Sequence, residues 1–83
     1  MKLTVRYFAS IREALGASEV IDVADGSSVR AVRDALIARG GAHASALARG
    51  KALRSALNQV LCDEAAIVGE GAELAFFPPV TGG

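Results

Sequence analysis

Few side chains in this sequence are of the types that carry out chemistry. The 83 residues include one histidine, His43, and one cysteine, Cys62. These two residues cannot supply the ligands of a normal metal site. No glycine-rich phosphate loop follows a predicted strand, so nucleotide binding by this chain is not expected. The reactive group that remains is the α-carboxylate of Gly83, the last residue of the sequence.

Residues 76–83, Phe-Phe-Pro-Pro-Val-Thr-Gly-Gly, have a composition suited to presenting that carboxylate. Pro78 has no backbone N–H, so a strand that ends at Phe77 cannot continue its ladder. Paired prolines favour an extended path, and terminal glycines fit a narrow channel because they have no Cβ. At ~3.3 Å per residue, residues 78–83 reach up to roughly 20 Å. A frayed terminus is the plainer alternative, but the octet predicts an extended, flexible tail that another protein handles.

The same eight residues resemble the C-terminus of the small subunit of molybdopterin synthase, a ubiquitin-like sulfur carrier. Weaker matches to that family lie at residues 6–9 (Arg-Tyr-Phe-Ala), at Arg12 and Glu13, and at Asn58 and Gln59. The resemblance covers nearly the whole chain, although residues 40–52 contain no matching motif. It implies a β-grasp fold.

The resemblance also implies a reaction sequence centred on Gly83. An ATP-using, ubiquitin-activating-like enzyme would adenylate the carboxylate, and a sulfur donor protein would displace AMP to leave a thiocarboxylate. The tail would then enter the large, catalytic synthase subunit, within a heterotetramer, and pass its sulfur to a cyclic pterin precursor to build the dithiolene of molybdopterin. The inserted residues would be Pro78, Pro79, Val80, Thr81 and Gly82. On this interpretation the chain is a non-catalytic subunit that binds no cofactor, since the activating partner uses the ATP.

Three other functions remain open at this point. A sulfur carrier of the thiamine-pathway type shares the Gly-Gly end, although the six residues before it favour the pterin family. A ubiquitin-like modifier would instead be joined to lysines through an isopeptide bond. A non-reactive β-grasp domain would only bind other proteins.

Length and composition restrict the class of protein. Eighty-three residues predict one small domain with a single modest core. Nine basic and nine acidic residues give zero formal net charge, which does not favour a nucleic-acid or anionic-membrane partner. One cysteine excludes an internal disulfide and is typical of a reducing cytoplasm. The sequence shows no signal peptide at its start and no apolar run of the ~18 residues that span a bilayer.

The first half of the chain predicts two strands and a helix. Residues 2–8 and 19–23 are expected to pair as antiparallel strands, separated by a short helix that Ser10 caps and Gly16 ends. The main helix is predicted at 29–39, with Ser27 or Ser28 as its N-cap and Gly40 after its end. Its apolar stripe consists of Val29, Val32, Leu36 and Ile37.

The second half predicts three strands. Propensity alone favours helix across residues 42–57, but the resemblance favours a hairpin of 53–57 and 60–62 that turns at Asn58 and Gln59, with a helical turn within 43–49. The last strand is expected at 73–77. This order predicts an α+β, β-grasp domain at 1–77, with the first and last strands parallel at the sheet centre, followed by the tail at 78–83.

The two-residue strand period separates the aromatic residues. Tyr7 falls with Leu3 and Val5 on the core face, whereas Phe8 and Phe77 fall on the opposite face. Exposed aromatic residues on a small domain usually indicate an interaction site, and the resemblance adds Leu61 to this expected partner interface. Three further side chains receive structural interpretations: a surface position for His43, packing for Cys62 and a solvated helix face for Arg33.

Overall fold

A computed structural model describes residues 1–79, which form a mixed five-stranded sheet and three helices. The elements in chain order are β1 (Lys2–Tyr7), α1 (Ala9–Leu15), β2 (Ser18–Asp22), α2 (Val29–Ile37), α3 (Gly41–Ala46), β3 (Arg54–Leu57), β4 (Val60–Cys62) and β5 (Glu73–Phe77). None of the helices in this described part is long and apolar enough to cross a membrane.

The strands lie in the order β2-β1-β5-β3-β4. β1 and β5 are parallel neighbours, with Val5 opposite Leu74 and Tyr7 opposite Phe76. The other three pairs are antiparallel. A parallel pair needs a long crossover connection, and the segment that contains α2 supplies it. The predicted parallel pairing of the first and last strands is therefore confirmed.

The core lies between α2 and one face of the sheet. Alternation along β1 and β5 places Leu3, Val5, Tyr7, Leu74 and Phe76 on that face, and all five are buried. α2 begins at Val29 because the Ser28 Oγ accepts a hydrogen bond from the Ala31 amide at 3.1 Å. Its stripe packs against the sheet as predicted, with Val29, Val32 and Leu36 buried and Ile37 partly buried. The helix ends at Ile37, two residues before the predicted end.

The hairpin predicted in the second half is present. β3 and β4 pair antiparallel, with Leu57 opposite Val60. Asn58 and Gln59 have φ values of 50° and 68°, the left-handed conformation that a two-residue hairpin turn requires. Cys62 packs against the core, as predicted. The short helical stretch of the middle segment is α3, which begins two residues earlier than the predicted range.

The predicted N-cap of α1 is wrong. The helix begins directly after β1, and Phe8, not Ser10, is its N-cap residue. The Phe8 amide donates to the Phe76 carbonyl at 3.2 Å, and the Phe8 carbonyl accepts from the amides of Ile11 and Arg12. The hydrogen bond to β5 thus fixes the main chain of Phe8. The helix therefore begins at Ala9, and Ser10 lies inside it instead of capping it. Gly16 ends α1 as expected, with φ 93°.

The expected solvated position of Arg33 is also wrong. Its side chain is only 4% exposed. The guanidinium donates to the carbonyls of Leu47, Ala48 and Lys51 and to the Glu64 carboxylate. These acceptors lie 14 to 31 residues further along the chain, so the local helical pattern does not reveal them. Arg33 fastens the irregular segment after α3 to the side of α2.

Candidate functional site

The open face of the sheet, opposite α2, carries the residues expected to meet a partner. Strand register aligns Arg6, Ala75, Ala56 and Leu61 in one row across β1, β5, β3 and β4. The next residue of this face on β5 is Phe77, which lies opposite Arg54 of β3. Leu61 is 64% exposed and Phe8 is 37% exposed. The face therefore combines exposed apolar side chains with two arginines.

A groove of about 740 Å³ runs along this face; we call it the open-face groove. The residues that the argument below uses are Arg6, Phe8, Ala56, Glu73, Ala75 and Phe77, all of which line it. Phe8 and Phe77 lie on the same groove, as their shared face predicted. Leu61 lies beside it, opposite Ala56. Their role as a partner interface stays a prediction.

The groove reaches the beginning of the tail. β5 ends at Phe77, and Pro78 and Pro79 line the groove directly after it. The other tail residues in the expected site, Val80, Thr81, Gly82 and Gly83, lie outside the described residues. A protein that held the chain at Pro79 would also be next to the groove, because Pro79 itself lines it. The proline pair thus links the open face to the expected site of reaction.

Arg6 occupies one side of the groove. Its guanidinium carbon lies 5.3 Å from the centroid of the Phe8 ring, a cation–π arrangement. An Nη1 atom of the same group lies 3.7 Å from Oε2 of Glu73, which forms an ion pair across the central parallel strands. Sequence reasoning singled out the aromatic residues of this face and missed Arg6. The two-residue period that exposes Phe8 places Arg6 on the same face and could have found it.

A second polar cluster lies at the end of α2, away from the groove. Glu19 accepts hydrogen bonds from the Tyr7 hydroxyl at 2.8 Å and from Arg39 at 2.6 Å, and it pairs with Nε2 of His43 at 2.7 Å. Burial by itself would raise the pKa of Glu19, but the bonds from His43, Arg39 and Tyr7 outweigh it and lower the pKa to about 2. Burial and the nearby Glu19 raise the pKa of Tyr7.

This cluster corrects the expectation for His43. The side chain is 17% exposed and its ring meets Tyr7 edge to face, with centroids 6.4 Å apart. The histidine therefore ties α3 to β2 and is not an ordinary surface residue. Among residues 1–79, no group of three histidine, cysteine or acidic side chains is placed to hold a metal ion. The cluster, which we call the Glu19 cluster, therefore has a structural role and connects the helices to the sheet.

The fold and the open face together define a ubiquitin-like β-grasp protein whose last central strand leads into a Pro-Pro segment. Comparison with known proteins gives the particular family. The ThiS family model matches residues 5–83. The molybdopterin synthase sulfur carrier subunit of Haemophilus influenzae is 43% identical over 81 residues, which cover 98% of this chain and 99% of that protein.

Solved structures agree with this match. Small archaeal modifier protein 1 of Haloferax volcanii has a TM-score of 0.77 at 26% identity, over 95% of this chain and 98% of that one. A protein–protein complex of subunits 1 and 2 of the molybdopterin-converting factor from Helicobacter pylori contains a chain with a TM-score of 0.70 at 25% identity, with full coverage of both chains. The chain belongs to the ThiS family and is a homologue of the molybdopterin synthase sulfur carrier subunits.

Proposed function

We propose that this chain is the sulfur carrier subunit of a molybdopterin synthase and acts in the cytoplasm. The observation that carries the proposal is the 43% identity, over nearly the full length of both chains, to a protein of that name. The Helicobacter pylori complex supports a large subunit as the partner. The motif at residues 76–83 supports the tail as the reactive part of the chain, because a stiff proline segment is followed there by two glycines without side chains.

The proposed chemistry takes place at Gly83 and uses groups that the partners supply. The activating enzyme joins the Gly83 carboxylate to the α-phosphate of ATP, which releases pyrophosphate and gives an acyl-adenylate. Hydrosulfide released by the sulfur donor attacks the acyl carbon, AMP leaves with the bonding electron pair, the S–H proton passes to a base of the activating enzyme, and a thiocarboxylate remains. Each sulfur transfer to the pterin precursor leaves the acyl group of Gly83 to be hydrolysed by water, which returns the carrier to a carboxylate, so the two sulfurs of one dithiolene consume two loaded carriers. The carrier itself contributes the acyl group, the narrow tail and the docking face.

In this scheme the open-face groove is the docking site for the large subunit. Phe8, Phe77 and Leu61 would anchor the partner on the body, and Pro78 and Pro79 would direct the tail from the same place towards the partner's active site. Holding the body and the tail at once converts the reaction of the tail into an intramolecular event. This arrangement explains why a carrier needs a folded domain in addition to a reactive carboxylate.

Intact mass of the chain purified from cells, together with its partners, tests the proposal. Replacement of one oxygen by sulfur adds about 16 Da to the chain. We expect this increment in the wild-type chain, its loss after deletion of Gly83, and its retention in a Cys62→Ser variant, because Cys62 packs against the core. Loading of the truncated chain, or loss of loading in a folded Cys62→Ser variant, would contradict the assignment of the sulfur to Gly83.

A modifier function is the second candidate, because a small archaeal modifier protein shares the fold at 26% identity. The same measurement separates the two functions. A modifier would be recovered attached to lysines of other proteins, so its mass would rise by that of a whole target chain. Recovery of such conjugates without a sulfur-loaded form would favour the modifier function.

A further inference from the structure

The arginines of this protein differ in how fully their donors are used. Arg33, Arg39 and Arg49 donate hydrogen bonds to carboxylates or main-chain carbonyls. The Arg6 guanidinium has no hydrogen-bond acceptor within residues 1–79. Its ion pair with Glu73 spans 3.7 Å, which is beyond the usual length of a hydrogen bond. Within that part of the chain, Arg6 is therefore held in place by the Phe8 ring and Glu73, and its five N–H donors make no hydrogen bond.

The surroundings of Arg6 define what would fit beside it. Ala75 lies directly opposite Arg6 on β5, and Ala56 lies opposite Ala75 on β3. Two small side chains between Arg6, Leu61 and Phe77 leave a depression in the open-face groove with an apolar floor. An apolar side chain seated on that floor would bring its neighbours along the partner chain next to the guanidinium.

The charges around the depression favour an acidic neighbour. Arg6 lies at the groove and Arg54 lies on the same face beside Phe77. Glu73 is the one carboxylate among the described residues that line the groove. Arg6, Arg54 and Glu73 therefore leave one net positive charge around the depression, in a chain whose formal net charge is zero. A planar guanidinium with free donors matches the geometry of a carboxylate better than that of any other side chain.

We propose that Arg6 receives a carboxylate of the protein that docks on the open-face groove. The partner surface presents an apolar side chain to Ala56 and Ala75 and an aspartate or glutamate next to it, which replaces Glu73 as the main ion partner of Arg6. The inference rests on the proposed function for the identity of this partner, the large synthase subunit. It adds the chemistry of the partner's contact and makes Arg6 a residue that selects the partner.

The ion pair between Arg6 and Glu73 allows a test in which substitutions of its two members are expected to change the binding affinity in opposite directions. Arg6→Gln removes the donor fork, so it should weaken binding of the large subunit from the same organism about tenfold. Glu73→Gln removes the competitor for Arg6, so it should tighten binding, by about two- to fivefold. Arg30→Gln on the exposed side of α2 removes the same charge elsewhere and should leave affinity unchanged. Titration calorimetry at low and moderate salt measures all three, and thermal melts check that each variant is folded.

The outcomes are distinct. Unchanged affinity of a folded Arg6→Gln variant, or weaker binding by Glu73→Gln, would overturn the inference, and the second result would indicate that the partner offers a cation to Glu73. Arg6→Lys keeps the charge without the fork, so it should bind with intermediate affinity and serves if Arg6→Gln does not fold. Failure of the wild-type carrier to bind the large subunit would overturn the proposed function, and this inference with it, before any variant is compared.

Discussion

Replacement of Arg33 by methionine is the sharpest test of how the middle of the chain is held. The substitution keeps a long side chain but removes a guanidinium that is 4% exposed. It deletes hydrogen bonds of 2.8 Å to the Leu47 carbonyl, 2.7 Å to the Ala48 carbonyl and 2.7 Å to the Glu64 carboxylate. We expect the segment after α3 to lose its buried attachment to α2, while the exposed bonds from Arg49 to Asp34 and to the Arg30 carbonyl remain, and the free energy of unfolding to fall.

The size of the loss follows from these contacts. Removing one partner of a buried ion pair costs about 3–5 kcal/mol. The lower end applies here, because the Glu64 side chain is 31% exposed and keeps its ion pair with Arg49. We therefore expect a loss of about 3 kcal/mol, from a total of roughly 4–12 kcal/mol for a domain of this size. The melting temperature should fall by roughly 12–24 °C.

Urea unfolding of the wild-type and Arg33→Met proteins measures this difference. Arg30→Met is the matched control, since Arg30 lies one turn earlier on α2 with its side chain exposed. The control should stay within about 0.5 kcal/mol of the wild type. A loss below about 1 kcal/mol for Arg33→Met would refute the reasoning, because it would mean that the carbonyls of this segment are satisfied as well by water as by the guanidinium.

Three further predictions concern the open-face groove, the tail and the Glu19 cluster. Phe77→Ala should weaken binding of the large subunit by about 2 kcal/mol or more, as loss of an interface anchor does; unchanged affinity with a strongly lowered melting temperature would make Phe77 a core residue instead. Gly82→Val should leave the fold intact but slow adenylation or sulfur transfer, because a β-branched residue widens the tail; wild-type rates with purified partners would exclude a narrow channel. The pKa of Glu19 is lower in the folded protein than its unfolded-state value near 4.5, so the ionised carboxylate stabilises the fold at pH values above 4.5. The free energy of unfolding should therefore fall as the pH drops from about 5 to about 2, and thermal melts of a Glu19→Gln variant should depend less on pH in this range.

Where local signals agreed, the sequence predicted the structure closely. β5 has the predicted bounds, Glu73–Phe77, because alternation defines the strand and Pro78 ends it. α2 begins at the predicted residue because Ser28 caps it. The hairpin that turns at Asn58 and Gln59 was predicted from the family resemblance and not from local signals, because propensity alone favoured helix there. The open face followed from the same alternation, which placed Phe8 and Phe77 on one groove.

The errors arose where a distant partner decides the position of a side chain. Ser10 has the local signature of a cap, but the hydrogen bond between Phe8 and Phe76 fixes the start of α1. Arg33 follows Val29 by four residues and so lies beside the buried stripe. Burial of a charged side chain at such a position can be predicted only when its hydrogen-bond acceptors are known. His43 depends in the same way on Glu19, 24 residues away. Local periodicity contains no information on such contacts.

The position of β5 in the sheet has a consequence for how this protein is made. Among the strands of residues 1–79, β5 is synthesised last, yet it joins the β2-β1 half of the sheet to the β3-β4 half. A chain that stops before Glu73 lacks the strand that unites the two halves, and it leaves the core residues of β1 without their partners Leu74 and Phe76. Folding therefore has to wait until translation has passed the base of the tail. Molecules cut short during synthesis remain unfolded and open to proteases, so the folded pool offered to the partners consists of chains that reach at least the start of the tail.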